Sequence, residues 1–280
     1  MSLIDAHAHV WTADFARYPL APGYTLDDVR PASFTLDDFF RHARPHGVER
    51  VNLVQSRFHG FDNSFLLDTI AVNKTICVGT AVIDVHQPHP DRQMAELAEH
   101  GIRAFRIHPR LSQMPPERWL QPAGYQAMFA AAARLNLGIS CLIDPDCLPE
   151  LERLCDRYGE TPVIIDHLCR IGADGVLRSR DVDALCAMSR HPRAMVKVGG
   201  FYPLGAQSPP YADLVPLIER VVEAFGAQRC MWESDCPYQV QQHNYLQSVN
   251  LIQSGCLFLS ERDKISLLQK TAEAFYFAPI

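Results

Sequence analysis

Short apolar segments recur eight times along the chain, and longer segments with helical periodicity separate them. The apolar segments span residues 3–9, 50–56, 76–84, 102–108, 138–143, 162–167, 194–200 and 229–235. The helical segments span residues 35–44, 63–73, 92–100, 124–135, 148–158, 181–190 and 211–226, and a last helix at 261–277 is expected to pack back on the body. Strands that are apolar throughout are typical of parallel sheets, because helices cover both faces of such sheets. The alternation therefore predicts an α/β fold with an eight-stranded parallel sheet.

The number of units favours a closed barrel over an open doubly wound sheet. Eight units fit in the 280 residues of the chain, and a (β/α)8 TIM barrel needs about 250 residues. Neither GxGxxG nor GxxxxGK[ST] follows a strand, so the usual nucleotide-binding folds have no support. Residues 11–34 lack a period and are rich in proline and aromatic residues, which indicates a long loop after the first strand. The sequence predicts a single domain over residues 1–280.

Charge and cysteine content exclude several classes of protein. The net charge is −6 and the basic residues are scattered, so the sequence predicts neither a nucleic-acid surface nor a membrane-binding surface. The first residues lack the basic start and long apolar run of a signal peptide. The nine cysteines, an odd number, include no CxxC pair, which indicates free thiols in a reduced compartment. We therefore expect a cytoplasmic protein that binds a small molecule.

The first strand carries ionisable residues at every second position. Residues 4–10 read IDAHAHV, and alternate side chains of a strand point to opposite faces. Asp5, His7 and His9 are therefore predicted to share one face, and the aliphatic residues between them take the other. Buried ionisable groups are costly without partners, so this face requires a metal, a hydrogen-bond network or a substrate.

Polar residues also gather at the ends of other strands, where barrel enzymes have their active sites. They are Gln55, Arg57 and His59 at the second strand, Arg106 and His108 at the fourth, Asp166 and His167 at the sixth, and Glu233, Ser234 and Asp235 at the eighth. Unrelated structural histidines have no reason to gather at strand ends, so we interpret the His-x-His pair of the first strand as functional. We assign no role to single histidines such as His59, His86 and His243.

Two of these residues have structural alternatives. Asp235 could cap the helix after the eighth strand, as aspartates commonly do. Arg106 could pair with Glu233 or Asp235, or it could hold an anionic substrate, because a guanidinium matches a carboxylate with two hydrogen bonds. Cys236 has no evident histidine partner, so a thiolate nucleophile is not predicted.

Several segments resemble the amidohydrolase superfamily. They are IDAHAHVW at the start, VIIDHL in the sixth strand and MWESDCPY in the eighth, with QSRFHGFDNSFLLD and GIRAFRIHP at comparable positions. More narrowly, the chain resembles the amidohydrolase-2 branch that includes sugar lactonases and pyrone-dicarboxylate lactonase. The similarity covers nearly the whole chain. The combination of motifs is specific for the superfamily and much less specific for any one substrate.

The resemblance implies roles for four residues. Asp235 matches the aspartate of the eighth strand that acts as the general base on the attacking water. His7 and His9 match the pair that binds a divalent metal in many members, or that polarises the substrate carbonyl directly where no metal is present. His167 matches a histidine of the sixth strand at the same mouth of the barrel.

Departures from the family pattern argue against a bridged two-metal centre. Two-metal members carry a carbamylated lysine on the fourth strand, where this chain has Arg106 and His108, and the fifth strand offers no histidine. One Zn²⁺ or Mn²⁺ could still be held by the two histidines of the first strand and Asp235, with or without His167. A metal-independent site is the alternative. Glu233 shares a face with Asp235 by the strand period, so we expect it to alter the pKa of Asp235.

The sequence therefore predicts a hydrolase that opens a lactone or related cyclic ester of a sugar acid or an aromatic-catabolite acid. Asp235 and His167 are the predicted catalytic residues, and the substrate is expected to be anionic or hydroxylated. The residues predicted to bind it are Arg57, Arg106, His108, Tyr202 and Tyr238. Three alternatives remain: a metal-dependent non-oxidative decarboxylase of the same superfamily, a barrel-type DNase, which the acidic composition disfavours, and a barrel that binds a small ligand without catalysis.

Overall fold

A computed structural model of the chain describes residues 2–112 and 114–278. Eight strands form one parallel sheet, in which each strand pairs with the next along the chain. The strands are β1 (Leu3–Ala8), β2 (Val48–Val54), β3 (Cys77–Ala81), β4 (Ile102–Ile107), β5 (Gly138–Cys141), β6 (Val163–Ile165), β7 (Ala194–Gly199) and β8 (Cys230–Glu233). The Asp235 amide donates to the His7 carbonyl (3.0 Å) and so brings the first and last strands together. The fold is a nearly closed (β/α)8 barrel, which confirms the predicted fold class.

Helices cover the outside of the sheet. The α-helices are α1 (Leu36–Ala43), α2 (Ser64–Ala71), α3 (Pro90–Glu99), α4 (Pro109–Ser112), α5 (Ala123–Leu135), α6 (Leu148–Arg157), α7 (Ser179–Ala187), α8 (Val215–Phe225), α9 (Tyr238–Gln242), α10 (Tyr245–Asn250), α11 (Glu261–Ile265) and α12 (Thr271–Tyr276). A π-helical segment, Ser266–Lys270, joins α11 to α12. Ala272 and Tyr276 pack against buried strand residues, which confirms that the last helix packs back on the body.

Local sequence signals explain where α1 begins and ends. Thr35 and Asp38 form a capping box: the Thr35 amide donates to Oδ2 of Asp38 (2.8 Å), and the Asp38 amide donates to the Thr35 hydroxyl (3.3 Å). Each bond satisfies an amide or side chain at the start of the helix. Gly47, with φ of 83°, follows the next 3₁₀ turn and directs the chain into β2. Leu36, Phe39, Phe40 and Ala43 are the buried residues of α1, and their spacing gives the helix one apolar face.

The interior of the barrel changes from apolar to ionic along the strands. Its apolar part contains Ile4, Ala6, Val78, Ala104, Ile164 and Met231. Its polar part contains Asn52, Thr80, Ser140, Asp166 and Lys197, all fully buried. Because a buried charge needs a partner, this ionic part determines the contacts of the site described below.

A predicted strand end differs from the observed one where a side chain takes the backbone hydrogen bonds that a neighbouring strand would make. The third strand, predicted to reach residue 84, ends at Ala81. The Val82 amide donates to Oδ1 of Asn63 (3.1 Å), and the Val82 carbonyl accepts from Nδ2 of Asn63 (2.9 Å). The short helices α4, α9 and α10 were not predicted. Residues 11–34 contain only a 3₁₀ turn and an isolated bridge, in agreement with the predicted loop.

A β-bulge in β1 separates Asp5 from the two histidines. The register against β2 shifts between Asp5 and Ala8, where three steps along β1 match two steps along β2. The Asp5 carboxylate accepts a hydrogen bond from Tyr245 of α10 (2.7 Å), whereas His7 faces Lys197 of β7. The prediction that Asp5 shares a face with both histidines is therefore wrong, because the period of two holds only along an uninterrupted ladder.

All nine cysteines are free, and eight of them are buried. Among residues 2–112 and 114–278, no helix is both long enough and apolar enough to cross a membrane.

Candidate active site

Ionisable side chains come together at the carboxyl ends of the strands. They are His7 and His9 at the end of β1, Arg106 from β4, Asp166 and His167 after β6, Lys197 from β7, and Glu233 and Asp235 at the end of β8. None of these residues is more than 8 % exposed. Because so little water reaches these groups, they must satisfy one another, and their mutual contacts define the site.

Three atoms, which we call the ligand triangle, face one another at this mouth. They are Nε2 of His7, Nε2 of His9 and Oδ1 of Asp235. The two nitrogens lie 3.1 Å apart, and Oδ1 lies 3.7 Å from His7 and 3.4 Å from His9. Within the described part of the chain, Oδ1 is buried without a hydrogen-bond partner. Oδ2 accepts a hydrogen bond from the Tyr202 hydroxyl (3.0 Å), so the carboxylate keeps one oxygen free.

The surroundings keep Asp235 ionised and the two histidines neutral. Burial raises the pKa of Asp235, but the charges of His167 and nearby cationic groups outweigh burial, so this pKa lies below its usual value. Burial lowers the pKa of His9 and holds that of His7 well below its usual value. At neutral pH the ligand triangle therefore consists of a carboxylate and two neutral imidazoles.

An ion pair lies deeper in the barrel. Nζ of Lys197 is 3.0 Å from Oδ1 of Asp166, and Ser140 donates to both oxygens of Asp166 (2.8 and 2.9 Å). Burial raises the pKa of Asp166, but Lys197 and Arg106 outweigh burial and place this pKa far below its usual value. Lys197 also lies 3.2 Å from Nδ1 of His7, so the ion pair touches the ligand triangle from below.

Glu233 connects His7 with His167. Its Oε1 accepts from Nδ1 of His167 (2.5 Å), and its Oε2 lies 3.1 Å from Nδ1 of His7. Among the described residues, Oε2 has no hydrogen-bond partner. Burial raises the pKa of Glu233. Glu233 therefore contacts the histidines on both sides rather than acting on Asp235 alone.

The protonation of His167 depends on opposing neighbours. Burial lowers its pKa, but the carboxylates of Glu233 and Asp235 outweigh burial and raise this pKa above its usual value. Nη2 of Arg106 lies 3.2 Å from Nε2 of His167, and an arginine can only donate. That contact belongs to the neutral form, in which Nε2 accepts. In the protonated form, Nε2 becomes a second donor at the mouth of the barrel.

A left-handed turn directs His167 into the site. His167, Leu168, Cys169 and Arg170 have φ between 52° and 56°, a conformation that costs about 1–2 kcal/mol for each residue with a Cβ atom. A Cβ atom on Gly200, which has φ of +61°, would lie 2.7 Å from Nδ1 of His167. The glycine therefore leaves room for the imidazole, and the turn is strained where the site is formed.

Arg57 and Tyr238 lie at the rim. The rings of Tyr238 and His9 meet edge to face, with centroids 5.6 Å apart. The guanidinium of exposed Arg57 lies 5.9 Å from the centroid of the Tyr238 ring. Burial raises the pKa of Tyr238 to about 12, so its hydroxyl stays neutral. The structure thus places both predicted substrate-binding residues beside the ligand triangle.

His108 and Arg106 differ from their expected surroundings. His108 follows the end of β4 and is half-buried, and burial lowers its pKa to about 4. Within the described residues, it joins none of the hydrogen bonds or ion pairs of the site, so its binding role stays a prediction. Arg106 pairs with Asp166, with 3.4 Å between Nε and Oδ2. Among the described residues Arg106 forms no ion pair with Glu233 or Asp235, so the alternative pairing is wrong.

The alternative role of Asp235 as a helix cap is also wrong. Helix α9 begins after Pro237, and no side-chain hydrogen bond caps its start. The Asp235 side chain instead accepts from Tyr202 and faces the histidines. Its φ of 58° turns the chain directly after β8.

The ligand triangle fits one divalent cation. Its sides measure 3.1, 3.4 and 3.7 Å, and a point about 2 Å from all three corners exists, which is the length of a zinc bond to histidine or carboxylate. A cation there would satisfy the free Oδ1 of Asp235. Two histidines and a carboxylate are also a donor set that catalytic zinc sites use with an open position.

A second group of possible ligands consists of His7, His167 and Glu233. Nδ1 of His167 already bonds to Oε1 of Glu233, and the Lys197 ammonium lies 3.2 Å from Nδ1 of His7. A cation at this position would face that positive charge at close range. We therefore assign these atoms to hydrogen bonding rather than to a metal.

Sequence analysis missed Lys197, although a signal was present. The seventh strand reads AMVKVGG, and a lysine in the middle of an apolar strand is rare unless it is paired. Its partner Asp166 was noted only as a polar residue at a strand end. The pairing joins β6 to β7, and no local pattern predicts it.

Enzymes with this barrel fold have their active sites at the carboxyl ends of the strands, where the imidazoles and the Asp235 carboxylate lie. The amidohydrolase family model matches residues 4–278. The chain therefore belongs to the amidohydrolase family and is an enzyme of that family.

The curated relatives include enzymes that act on lactones. An L-fucono-1,5-lactonase from Burkholderia ambifaria is 27% identical over 236 residues, which cover 84% of this chain and 80% of the relative. A 4-sulfomuconolactone hydrolase from Rhizobium radiobacter is 26% identical over 238 residues, which cover 84% of this chain and 75% of the relative.

Solved structures share the fold over the whole chain. A putative 2-pyrone-4,6-dicarboxylic acid hydrolase from Pseudomonas putida has a TM-score of 0.80 at 25% identity, covering 99% of this chain and 97% of its own. An amidohydrolase from Burkholderia multivorans with bound zinc has a TM-score of 0.81 at 19% identity, with full coverage of both chains at 100%. The latter likeness concerns the fold, and the zinc is a property of that protein.

Proposed function

We propose that this protein hydrolyses a lactone or a related cyclic ester of a sugar acid or an aromatic-catabolite acid, with Asp235 as the general base. The observation that carries the proposal is the free Oδ1 of Asp235, a buried carboxylate oxygen beside two neutral imidazoles. The lactone hydrolases among the relatives support the reaction class.

Asp235 has the orientation and charge that a general base requires. Tyr202 occupies Oδ2 by donating to it (3.0 Å), so Oδ1 is the oxygen left to accept a proton from water. Because a carboxylate oxygen has two lone pairs, Oδ1 can accept this proton with one of them while the other is directed at a cation. Because the pKa of Asp235 lies below its usual value, the base is ionised at neutral pH but intrinsically weak. The attacking water is therefore effective only against a carbonyl that is itself polarised. A strained or activated lactone meets this condition better than an amide.

Polarisation of the carbonyl is assigned to the groups that face Asp235. A divalent cation held by His7, His9 and Asp235 would supply Lewis-acid polarisation. Independently of a cation, His167 in its protonated form offers Nε2 as a donor at the mouth, whereas Nε of Arg106 faces Oδ2 of Asp166 at 3.4 Å. Donors aimed at the developing oxyanion stabilise the transition state more than the ground state.

The anionic part of the substrate is assigned to the cationic and hydroxyl groups of the mouth and rim. Arg106 lies inside the mouth and Arg57 at the exposed rim, and Tyr238 lies between Arg57 and the ligand triangle. Guanidinium groups bind carboxylates with two parallel hydrogen bonds. This arrangement suits a small acid whose carboxylate lies several ångströms from the ester bond. His108 is included as a further contact on the strength of the sequence alone.

The test is turnover of a panel of sugar-acid and aromatic-acid lactones, followed by the fall in pH that hydrolysis causes. We expect Asp235→Asn to lower kcat on the best substrate by about 10²–10⁴-fold, the usual contribution of a general base. The matched control is Asp37→Asn, which changes an exposed aspartate of α1 and should leave kcat unchanged. Full activity of Asp235→Asn would rule out the assigned base.

If the lactones are not turned over, further measurements separate the alternative functions. A non-oxidative decarboxylase would release carbon dioxide from an aromatic acid and would leave the lactones intact. A barrel that only binds ligands would turn over no member of the panel. A DNase would show salt-sensitive binding to DNA.

A further inference from the structure

A directed chain of hydrogen bonds passes through both histidines of β1. It begins at His9, whose Nδ1 lies 2.8 Å from the Val54 carbonyl. A carbonyl oxygen can only accept, so Nδ1 of His9 carries the proton. In the neutral ring, Nε2 of His9 is then a bare acceptor, and it faces Nε2 of His7 at 3.1 Å.

Lys197 fixes the direction at the other end of the chain. Its ammonium lies 3.2 Å from Nδ1 of His7 and pairs with Asp166 at 3.0 Å. An ammonium group has three donors and no acceptor, so Nδ1 of His7 must accept. The proton of neutral His7 is then on Nε2, where it donates to the bare Nε2 of His9. Donors and acceptors alternate without conflict from Lys197 to Val54.

This arrangement of protons on His7 and His9 opposes the binding of a cation, because a histidine binds a metal through an unprotonated nitrogen. For Nε2 of His7 to be bare, the proton must be on Nδ1. An acceptor for that proton is in place, since Oε2 of Glu233 lies 3.1 Å away and has no hydrogen-bond partner within the described residues. Lys197 and Glu233 therefore compete for the same nitrogen and favour opposite tautomers.

We propose that Lys197 is a positioning residue that selects the Nε2-protonated tautomer of His7 and thereby weakens the affinity of the ligand triangle for a divalent cation. Glu233 has the opposite effect. Binding of a cation would require the proton of His7 to be on Nδ1 instead of Nε2. Nδ1 would then donate a hydrogen bond to Oε2 of Glu233, and Lys197 would keep its contact with Asp166. The inference rests on the cation site of the proposed function but not on the lactone reaction, so it is tested without a substrate.

The first measurement is ¹⁵N NMR of the imidazoles in protein stripped of metal with EDTA. A His7→Asn variant assigns the His7 signals. We expect the proton of His7 on Nε2 in the wild-type protein and on Nδ1 in Lys197→Met, since methionine has a similar length but no donor. The same tautomer in both proteins would overturn the proposal. Lys74→Met, which alters an exposed lysine, is the control for loss of a charge.

The second measurement is zinc affinity by competition with a chelator. Partners behind a ligand commonly change metal affinity by about 10–100-fold, so Lys197→Met should bind zinc tighter than wild type by such a factor. Glu233→Gln should bind zinc about 10-fold weaker or worse. Tighter binding with an unchanged His7 tautomer would show that the lysine acts by charge alone and would overturn the proposal.

Loss of Lys197 leaves Asp166 with Ser140 and Arg106 as its near partners among the described residues and with Nδ1 of His7 at 3.9 Å, and the single variant could fail to fold. The double variant Lys197→Met/Asp166→Asn removes both charges of the pair and keeps the test available. Its His7 tautomer and zinc affinity should match those of a folded Lys197→Met. Absence of lactone turnover, with both expected results in place, would refute the proposed reaction and leave this inference intact.

Discussion

Replacement of Asp5 tests how the barrel holds its first and last strands together. Oδ1 of Asp5 accepts from the amides of Ser234 (3.0 Å) and His7 (3.1 Å), and Oδ2 accepts from the Tyr245 hydroxyl (2.7 Å). All three donors are buried. Asp5→Ala leaves them without an acceptor, and each unsatisfied buried donor costs about 1–3 kcal/mol. We therefore expect Asp5→Ala to lower the free energy of unfolding by at least about 3 kcal/mol.

Asp5→Asn should behave differently, and its effect should depend on pH. The amide oxygen can still accept from both backbone amides, and its nitrogen can donate to the Tyr245 oxygen. Burial raises the pKa of Asp5 from 3.8 to about 6. The native state therefore binds this proton more tightly than the unfolded chain, so the stability it confers is present below pH 3.8 and is lost as pH rises through 6. A shift of about two units corresponds to roughly 3 kcal/mol.

The assay is urea unfolding of wild type, Asp5→Asn and Asp5→Ala between pH 4 and pH 8. The stability of Asp5→Asn relative to wild type should increase by up to about 3 kcal/mol over this range, while the exposed-site control Asp37→Asn follows wild type. The reasoning is refuted if Asp5→Asn is as unstable as Asp5→Ala at pH 8. That result would mean that the negative charge holds the strands together and that hydrogen bonding alone does not.

Three further predictions concern the base and the histidine of β6. Because the pKa of Asp235 lies below its usual value, lactone turnover should show no acid limb between pH 8 and pH 5, and a limb in that range would contradict the assignment. Tyr202→Phe removes the donor to Oδ2, so the acid limb should move to higher pH and kcat should fall by about 10–150-fold, which corresponds to the roughly 1.5–3 kcal/mol of one hydrogen bond to a charged group. Gly200→Ala places a Cβ atom 2.7 Å from Nδ1 of His167 and should lower both thermal stability and kcat, whereas Gly159→Ala, with its nearest neighbour at 3.9 Å, should change neither.

Local pattern was enough to predict the barrel. Each apolar run lies within a single β/α unit, and the eight runs became β1 to β8 with ends displaced by a few residues. The displaced ends reflect tertiary contacts. The Val82 amide, for example, donates to the Asn63 side chain instead of to a neighbouring strand. The proximity of His7, His9, His167 and Asp235 also followed from topology, because the carboxyl ends of barrel strands meet at one mouth.

The partners within the site could not be predicted in the same way. Lys197 and His7 are 190 residues apart in the chain, and their contact depends on the relative stagger of β7 and β1, which lie on either side of β8. The tautomers depend in turn on those contacts. The face of Asp5 was predicted wrongly because a bulge leaves no clear mark in a segment as short as IDAHAHV.

The two departures from regular backbone structure coincide with the site, and each has a physical reason. Without the bulge in β1, Asp5 and His7 would compete for the barrel interior, and the amide of Ser234 after β8 would lose its acceptor. Without the left-handed turn, His167 could not reach both Glu233 and Arg106. Because four left-handed residues cost several kcal/mol at about 1–2 kcal/mol each, the buried hydrogen bond of His167 to Glu233 must help to hold the turn. Glu233 therefore faces both histidines: its Oε1 accepts from His167 and so helps to hold the strained turn, and its Oε2 lies 3.1 Å from Nδ1 of His7.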